Sequence, residues 1–177
     1  MNTRRLLCSL ILVLTGLALV PMALAGRGKN PAIKETDKGH IVVLPAEVER
    51  YLDKEFPGYR IPSDAEFSPE MLAYYYGRLI GIHPAVAWGD FNEDKKKDYA
   101  LLLATGQTHW GPIVELVILN GGKKSGEFET FRLGEVNGFK DDYISFVDTK
   151  LSKGKYHKGG WFINWDKKEK KYVTFKS

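Results

Sequence analysis

The chain reads as an α+β domain: two N-terminal helices followed by an antiparallel β-meander of five to seven strands. Two observations predict this. Apolar residues recur at helical spacing in two places between positions 45 and 79. From residue 85 onward the pattern changes to short runs rich in β-branched and aromatic residues, parted by Gly, Asn, Asp and Lys clusters. No segment repeats at a fixed period, which speaks against solenoids and propellers.

The N-terminus carries an export signal. Arg4 and Arg5 form a positive start, Leu6 to Val20 an uncharged apolar stretch, and Ala23-Leu24-Ala25 a small-x-small cleavage pattern. The apolar stretch is shorter than the ~20 residues of a membrane span. Cleavage after Ala25 removes 25 of the 177 residues and leaves 152. It also removes two of 26 basic residues, so 24 remain against 22 acids, a net charge of only +2. Cys8 is the only cysteine and departs with the signal, so the mature chain has no disulfide or thiol chemistry. These features predict a periplasmic or secreted protein with no span after cleavage. Its core is large enough to fold without covalent staples.

Residues 26–39, rich in Gly and Lys without periodicity, predict a flexible leader. Residues 40–177 then form a single domain. The first helix follows Pro45, with Val48, Tyr51, Leu52 and Phe56 on one stripe, and ends at Pro57-Gly58. Ser68-Pro69-Glu70 opens the second, an N-cap followed by proline at the first helical position. Met71, Leu72, Tyr75 and Leu79 are its apolar residues. Strands are expected at 85–88, 99–105, 113–119, 127–133, 143–147, 160–165 and 171–175. Asn120-Gly121-Gly122 is a turn signal, and the last two strands close as a hairpin.

Between the first two expected strands lies Gly89-Asp90-Phe91-Asn92-Glu93-Asp94-Lys95-Lys96-Lys97-Asp98-Tyr99-Ala100. Its oxygen-bearing side chains fall at relative positions 1, 3, 5 and 9. Calcium takes six to eight hard oxygen ligands, and a loop coiled around it supplies side chains 1, 3 and 5 and the backbone carbonyl of position 7. Those are Asp90, Asn92, Asp94 and the carbonyl of Lys96, with Asp98 closing the shell. An EF-hand would need a carboxylate at position 12, where Leu101 stands. The segment resembles the calcium loop of FG-GAP and VCBS-type repeats, the D-x-D/N-x-D-G-x-x-D hairpin of integrin α-subunit propellers, present here in one copy. That resemblance implies structural calcium held by Asp90, Asn92, Asp94, Lys96 and Asp98, and covers about a dozen residues. The family's glycine at position 6 is replaced by Lys95.

Other chemistry is sparse. His40, His83, His109 and His157 show no zinc spacing, and no nucleophile-elbow, Walker or dinucleotide-binding glycine pattern occurs. Glu47/Glu49 and Asp141/Asp142 read as solvated surface. The last third is basic: nine lysines between Lys150 and Lys176 face two acids, Asp166 and Glu169. Tyr156, Lys158, Trp161 and Trp165 there, and Trp110 in the 106–112 loop, are the candidate partner-binding residues. For an exported protein the fitting partners are another protein or an anionic envelope polymer, not nucleic acid. The function expected is a non-enzymatic exported binding domain with one structural calcium loop. An inhibitor or immunity-like protein of an envelope enzyme, or a small envelope hydrolase with a dispersed site, are the alternatives.

Overall fold

The run Tyr99-Ala-Leu-Leu-Leu-Ala104 is apolar at every position, which a strand with one wet face would not show. The computed structural model, which describes residues 30–176 apart from 38, 79, 110, 148 and 149, explains this. Residues 99–104 are buried throughout because their strand is covered on both sides. The expected export signal at 1–25, the first residues of the expected leader, Leu79 and Trp110 lie outside the described residues.

A hairpin of β1 (Ala32–Thr36) and β2 (Gly39–Val43) comes first. Helices α1 (Ala46–Glu55) and α2 (Pro69–Gly77) follow, with a one-turn 3-10 helix at Asp64–Glu66 between them. A first four-stranded meander runs through β3 (Val86–Gly89), β4 (Asp98–Thr108), β5 (Gly111–Gly121) and β6 (Phe128–Glu135). A second comprises β7 (Asp142–Val147), β8 (Lys150–Lys155), β9 (Gly159–Asp166) and β10 (Lys171–Lys176). Every pairing is antiparallel.

The expected α+β order, two N-terminal helices and then one meander of five to seven strands, is therefore corrected. The protein is mostly β, with two short helices and antiparallel sheets of two, four and four strands. Three causes account for the difference. The β1–β2 hairpin precedes the helices and uses residues read as leader. It turns next to Gly39, whose φ of +93° suits glycine. Strand β8 is Lys-Leu-Ser-Lys-Gly-Lys, and pairing on both sides makes a strand of a segment with little strand propensity. Gly138, at φ +67°, turns the chain between β6 and β7, where the second sheet starts.

The first meander is the middle layer. Val86, Tyr99, Leu101, Leu103, Val117 and Leu119 pack against Val48 and Leu52 of α1 and Phe56 at its C-cap. The opposite face, with Ala100, Leu102, Leu116 and Ile118, meets Ile144, Leu151, Ile163 and Tyr172 of the second meander and Met71 and Tyr75 of α2. Period-two alternation thus sends each face of β4 into a separate apolar layer. One charge survives inside β5. Glu115 accepts Arg132 Nε and Nη2 at 2.8 and 2.6 Å and Thr105 Oγ1 at 2.7 Å. The Arg132 guanidinium holds its carboxyl below the usual range.

At the start of α2, Ser68 Oγ accepts from Met71 N at 3.4 Å and donates to Asp141 Oδ1 at 2.7 Å. The cap therefore also ties the helix to the turn before β7. Ser68→Ala is expected to cost about 1 kcal/mol in urea unfolding with an unchanged m-value. A change below a few tenths would show that the cap is dispensable.

Candidate functional site

Gly89 begins the acidic loop because Phe146 of β7 lies across its backbone. A Cβ there would come within 2.1 Å of that ring. Phe91 turns inward and meets Phe146 edge-on at 4.8 Å, anchoring the loop between the two sheets. The hydrophobic second position of the motif thus has a packing cause. Around it the polar side chains hold the backbone. Asp94 N donates to Asp90 Oδ1 and to Asn92 Oδ1, each at 3.0 Å. Lys95 N donates to Asp90 Oδ2 at 2.9 Å, and Lys96 N to Asp94 Oδ1 at 2.9 Å. Glu93 and Lys95 adopt left-handed φ values of 61° and 67°, at a cost of about 1–2 kcal/mol each. Lys95, where the family has glycine, is one of these two left-handed positions.

Asp98 sits differently from the other three. It is fully buried, with Oδ2 accepting from Phe91 N at 2.7 Å and Oδ1 from Gly121 N at 2.9 Å. It staples the loop to the end of β5. Gly121 permits this approach, since a Cβ would meet the Lys97 carbonyl at 2.7 Å. Burial pushes the Asp98 carboxyl up to about 6 and the charge of Asp94 adds to that, although backbone N–H groups of Gly121, Phe91 and Asn92 oppose it. Next to it Tyr172 of β10 donates to Asn120 Oδ1 of β5, joining the two sheets at this end. Burial, then the Asp98 charge, pushes the Tyr172 phenol well above its ordinary value.

The donor set fits a hard divalent cation in its chemistry. Asp90, Asn92, Asp94 and the Lys96 carbonyl are all oxygen donors, and an oxygen accepting one N–H keeps a second lone pair. One cation already stands at the loop, the Lys96 ammonium, 3.0 Å from Asp94 Oδ2. Among the described residues no three His, Cys, Asp or Glu side chains converge as a metal-binding group.

Asp64 forms a second polar centre that single-sequence reasoning missed. Its Oδ2 accepts from His40 N at 3.1 Å and pairs with His40 Nδ1 at 2.8 Å, while Oδ1 accepts from Tyr76 Oη at 2.8 Å. His83 is fully buried, and its Nδ1 accepts from Ala85 N at 3.1 Å, so the ring proton lies on Nε2. That nitrogen lies 3.3 Å from Asp64 Oδ1, close enough for attraction but too far out of line for a full hydrogen bond. Burial alone would raise the Asp64 carboxyl. The contacts from His83, Tyr76 and His40 outweigh it and hold the carboxyl well below the usual range. Two of the four histidines, far apart in sequence, thus meet on one acid. The only local signal was the capping box Ser63–Glu66 around Asp64, which reports a turn and not a histidine partner.

The candidate partner-binding residues divide. The Tyr156 ring packs at a tilt against His157, centroids 3.8 Å apart, and against Tyr74 of α2 at 5.4 Å. Lys158 is exposed in the β8–β9 turn, and Trp161 is 45% exposed on β9. Trp165 is half-buried against Phe131 and Tyr172, where it packs between the sheets. Trp110 lies outside the described residues. Phe162, beside Trp161, is 41% exposed and was not singled out in the sequence. No helix among the described residues is long and apolar enough to cross a membrane. No family model, curated protein or solved structure matches this chain.

Proposed function

We propose that the protein is an exported, non-enzymatic binding domain. It holds one structural calcium ion at Asp90, Asn92, Asp94 and the Lys96 carbonyl, with Asp98 anchoring the loop. It meets an anionic envelope polymer or acidic protein through the lysine-rich second meander. The observation that carries the binding reading is the exposure of Trp161 and Phe162, which alternate onto the two faces of β9 just after the turn that holds Lys158. Large exposed aromatics that the core does not use, next to cations, mark this end of β9 as an interaction surface. Calcium has a mechanical role here: it neutralises acids that crowd the end where Tyr172 and Asn120 join the sheets.

Retention on immobilised poly-glutamate tests the binding reading. The protein is expected to bind at low salt and to elute as the screening length falls to about 10 Å near 0.1 M. Lys158→Glu and Trp161→Ser should each elute earlier. Elution of the wild type in the void volume at low salt would sink the reading.

A further inference from the structure

The β7–β9 sheet carries a hollow of about 350 Å³, within the range of about 300–1,000 Å³ typical of small-ligand sites. We propose that this hollow is a saccharide site for a carboxylated pyranose of an acidic polysaccharide, a proposal that rests on the binding reading above. Register places Tyr143 opposite Gly154, and Phe162 opposite Ser152, so all four positions share one face. Gly154 in turn faces Gly160 across β8 and β9. The Tyr143 ring lies directly on Gly154, where a Cβ would stand 2.1 Å from it, and Gly160 continues the glycine backbone from there toward Phe162. Tyr74 of α2 and His157 of the β8–β9 turn complete the walls.

Each part of the hollow matches one part of such a sugar. A pyranose offers an apolar C–H face, which stacks on electron-rich aromatic faces, and the Tyr143 and Phe162 side chains supply aromatic walls. Its hydroxyls project from the ring edge and need partners that both donate and accept. Ser152 Oγ, already sharing a hydrogen with Ser145 Oγ at 2.8 Å, is one such group, and the phenols of Tyr74 and Tyr143 are the others. Burial pushes the Tyr143 phenol up to about 12, with the Tyr74 hydroxyl adding to it, so it keeps its proton at neutral pH. A carboxylate needs a cation at the rim. The Arg78 guanidinium lies 4.7 Å over the Tyr74 ring, and Lys158 follows His157 in the turn. Neither Arg78 nor Lys158 has an ion-pair partner among the described residues. Lys153 and Lys155, by contrast, turn to Asp142 at 3.4 and 3.6 Å and are spent there. A lone phosphate would leave the aromatic walls unused, and an acyl chain would leave the hydroxyls unpaired.

Titration calorimetry with a hyaluronan tetrasaccharide, which alternates carboxylated and neutral pyranoses, tests the proposal against neutral chitotetraose. The acidic sugar is expected to bind saturably, and the neutral one about tenfold more weakly for want of a charge-assisted contact. Phe162→Ala and Arg78→Gln, both at exposed positions and checked for unchanged near-ultraviolet circular dichroism, should each weaken binding about tenfold. Absence of saturable binding, equal affinity for the two sugars, or wild-type affinity in both variants overturns the proposal. If sugar binding is absent while poly-glutamate still retains the protein, the saccharide site falls and the binding reading stands. Loss of both results removes both. Phosphatidylglycerol vesicles serve as the third arm: binding to them in place of the sugar would reject the saccharide in favour of a lipid surface.

Discussion

Asp64→Asn is expected to lose about 2–4 kcal/mol of folding stability, because it strips the charge from a buried acid that accepts several hydrogen bonds. Four separate parts of the chain meet on this carboxylate: His40 in β2, the 3-10 turn, Tyr76 in α2 and His83 ahead of β3. An amide keeps the shape, but its NH₂ would face donors instead of accepting from them. The hairpin backbone leaves little room for adjustment, since a Cβ on Gly39 would already come within 2.9 Å of Asp64 Cβ. Urea unfolding measures the loss, and Tyr76→Phe, which removes one neutral donor, should cost only about 1–2 kcal/mol. A cost for Asp64→Asn no larger than that for Tyr76→Phe would reduce the cluster to an ordinary surface contact. The same charge sets an acid limit. The folded carboxyl titrates below its ordinary value near 3.8, so its contribution is complete above that pH and is lost as pH falls below it. The variant should lack this part of the acid transition.

Calcium at 100 times its Kd is expected to stabilise the protein by about 2.7 kcal/mol over the same protein in EDTA. That corresponds to a Tm rise of roughly 5–10 °C for a chain of this size. An Asp90→Ala/Asp94→Ala variant should show none of it. The affinity expected of an extracellular module is on the order of 10⁻⁴–10⁻³ M, so 100 times Kd is about 10–100 mM calcium. The pH dependence has a definite sign. The folded Asp98 carboxyl, at about 6, lies above its ordinary 3.8. Without a cation, the stability it gains from holding a proton is full at low pH and disappears as pH rises from about 4 through 6. A nearby cation favours the ionised form, so the calcium-induced rise in Tm should be larger at pH 7.5 than at pH 5. Equal melts with EDTA and calcium at pH 7.5 would leave Asp90–Asp98 as a polar turn held by its own Asx contacts.

Much of the local structure was written in short stretches of sequence. Ser68-Pro69 set the start of α2, the apolar run at 99–104 marked a strand, and Asp90 to Asp98 marked the turn between β3 and β4. Each signal depends on neighbours a few residues away, so the chain carries it by itself. The arrangement depended on contacts that no local window contains. Pairing on both sides made a strand of the lysine-rich β8, and the turn at left-handed Gly138 divided the expected single meander into two sheets. Trp161 and Trp165 have the same residue type and stand four positions apart. Only packing against Phe131 and Tyr172 drew Trp165 into the core while Trp161 stayed exposed. Asp64 and its two histidines are separated by 24 and 19 positions, and burial of the acid is what brings them together. Local propensity acts over a few residues, whereas the free energy of burying a charge or an aromatic ring is decided by whatever the fold places beside it.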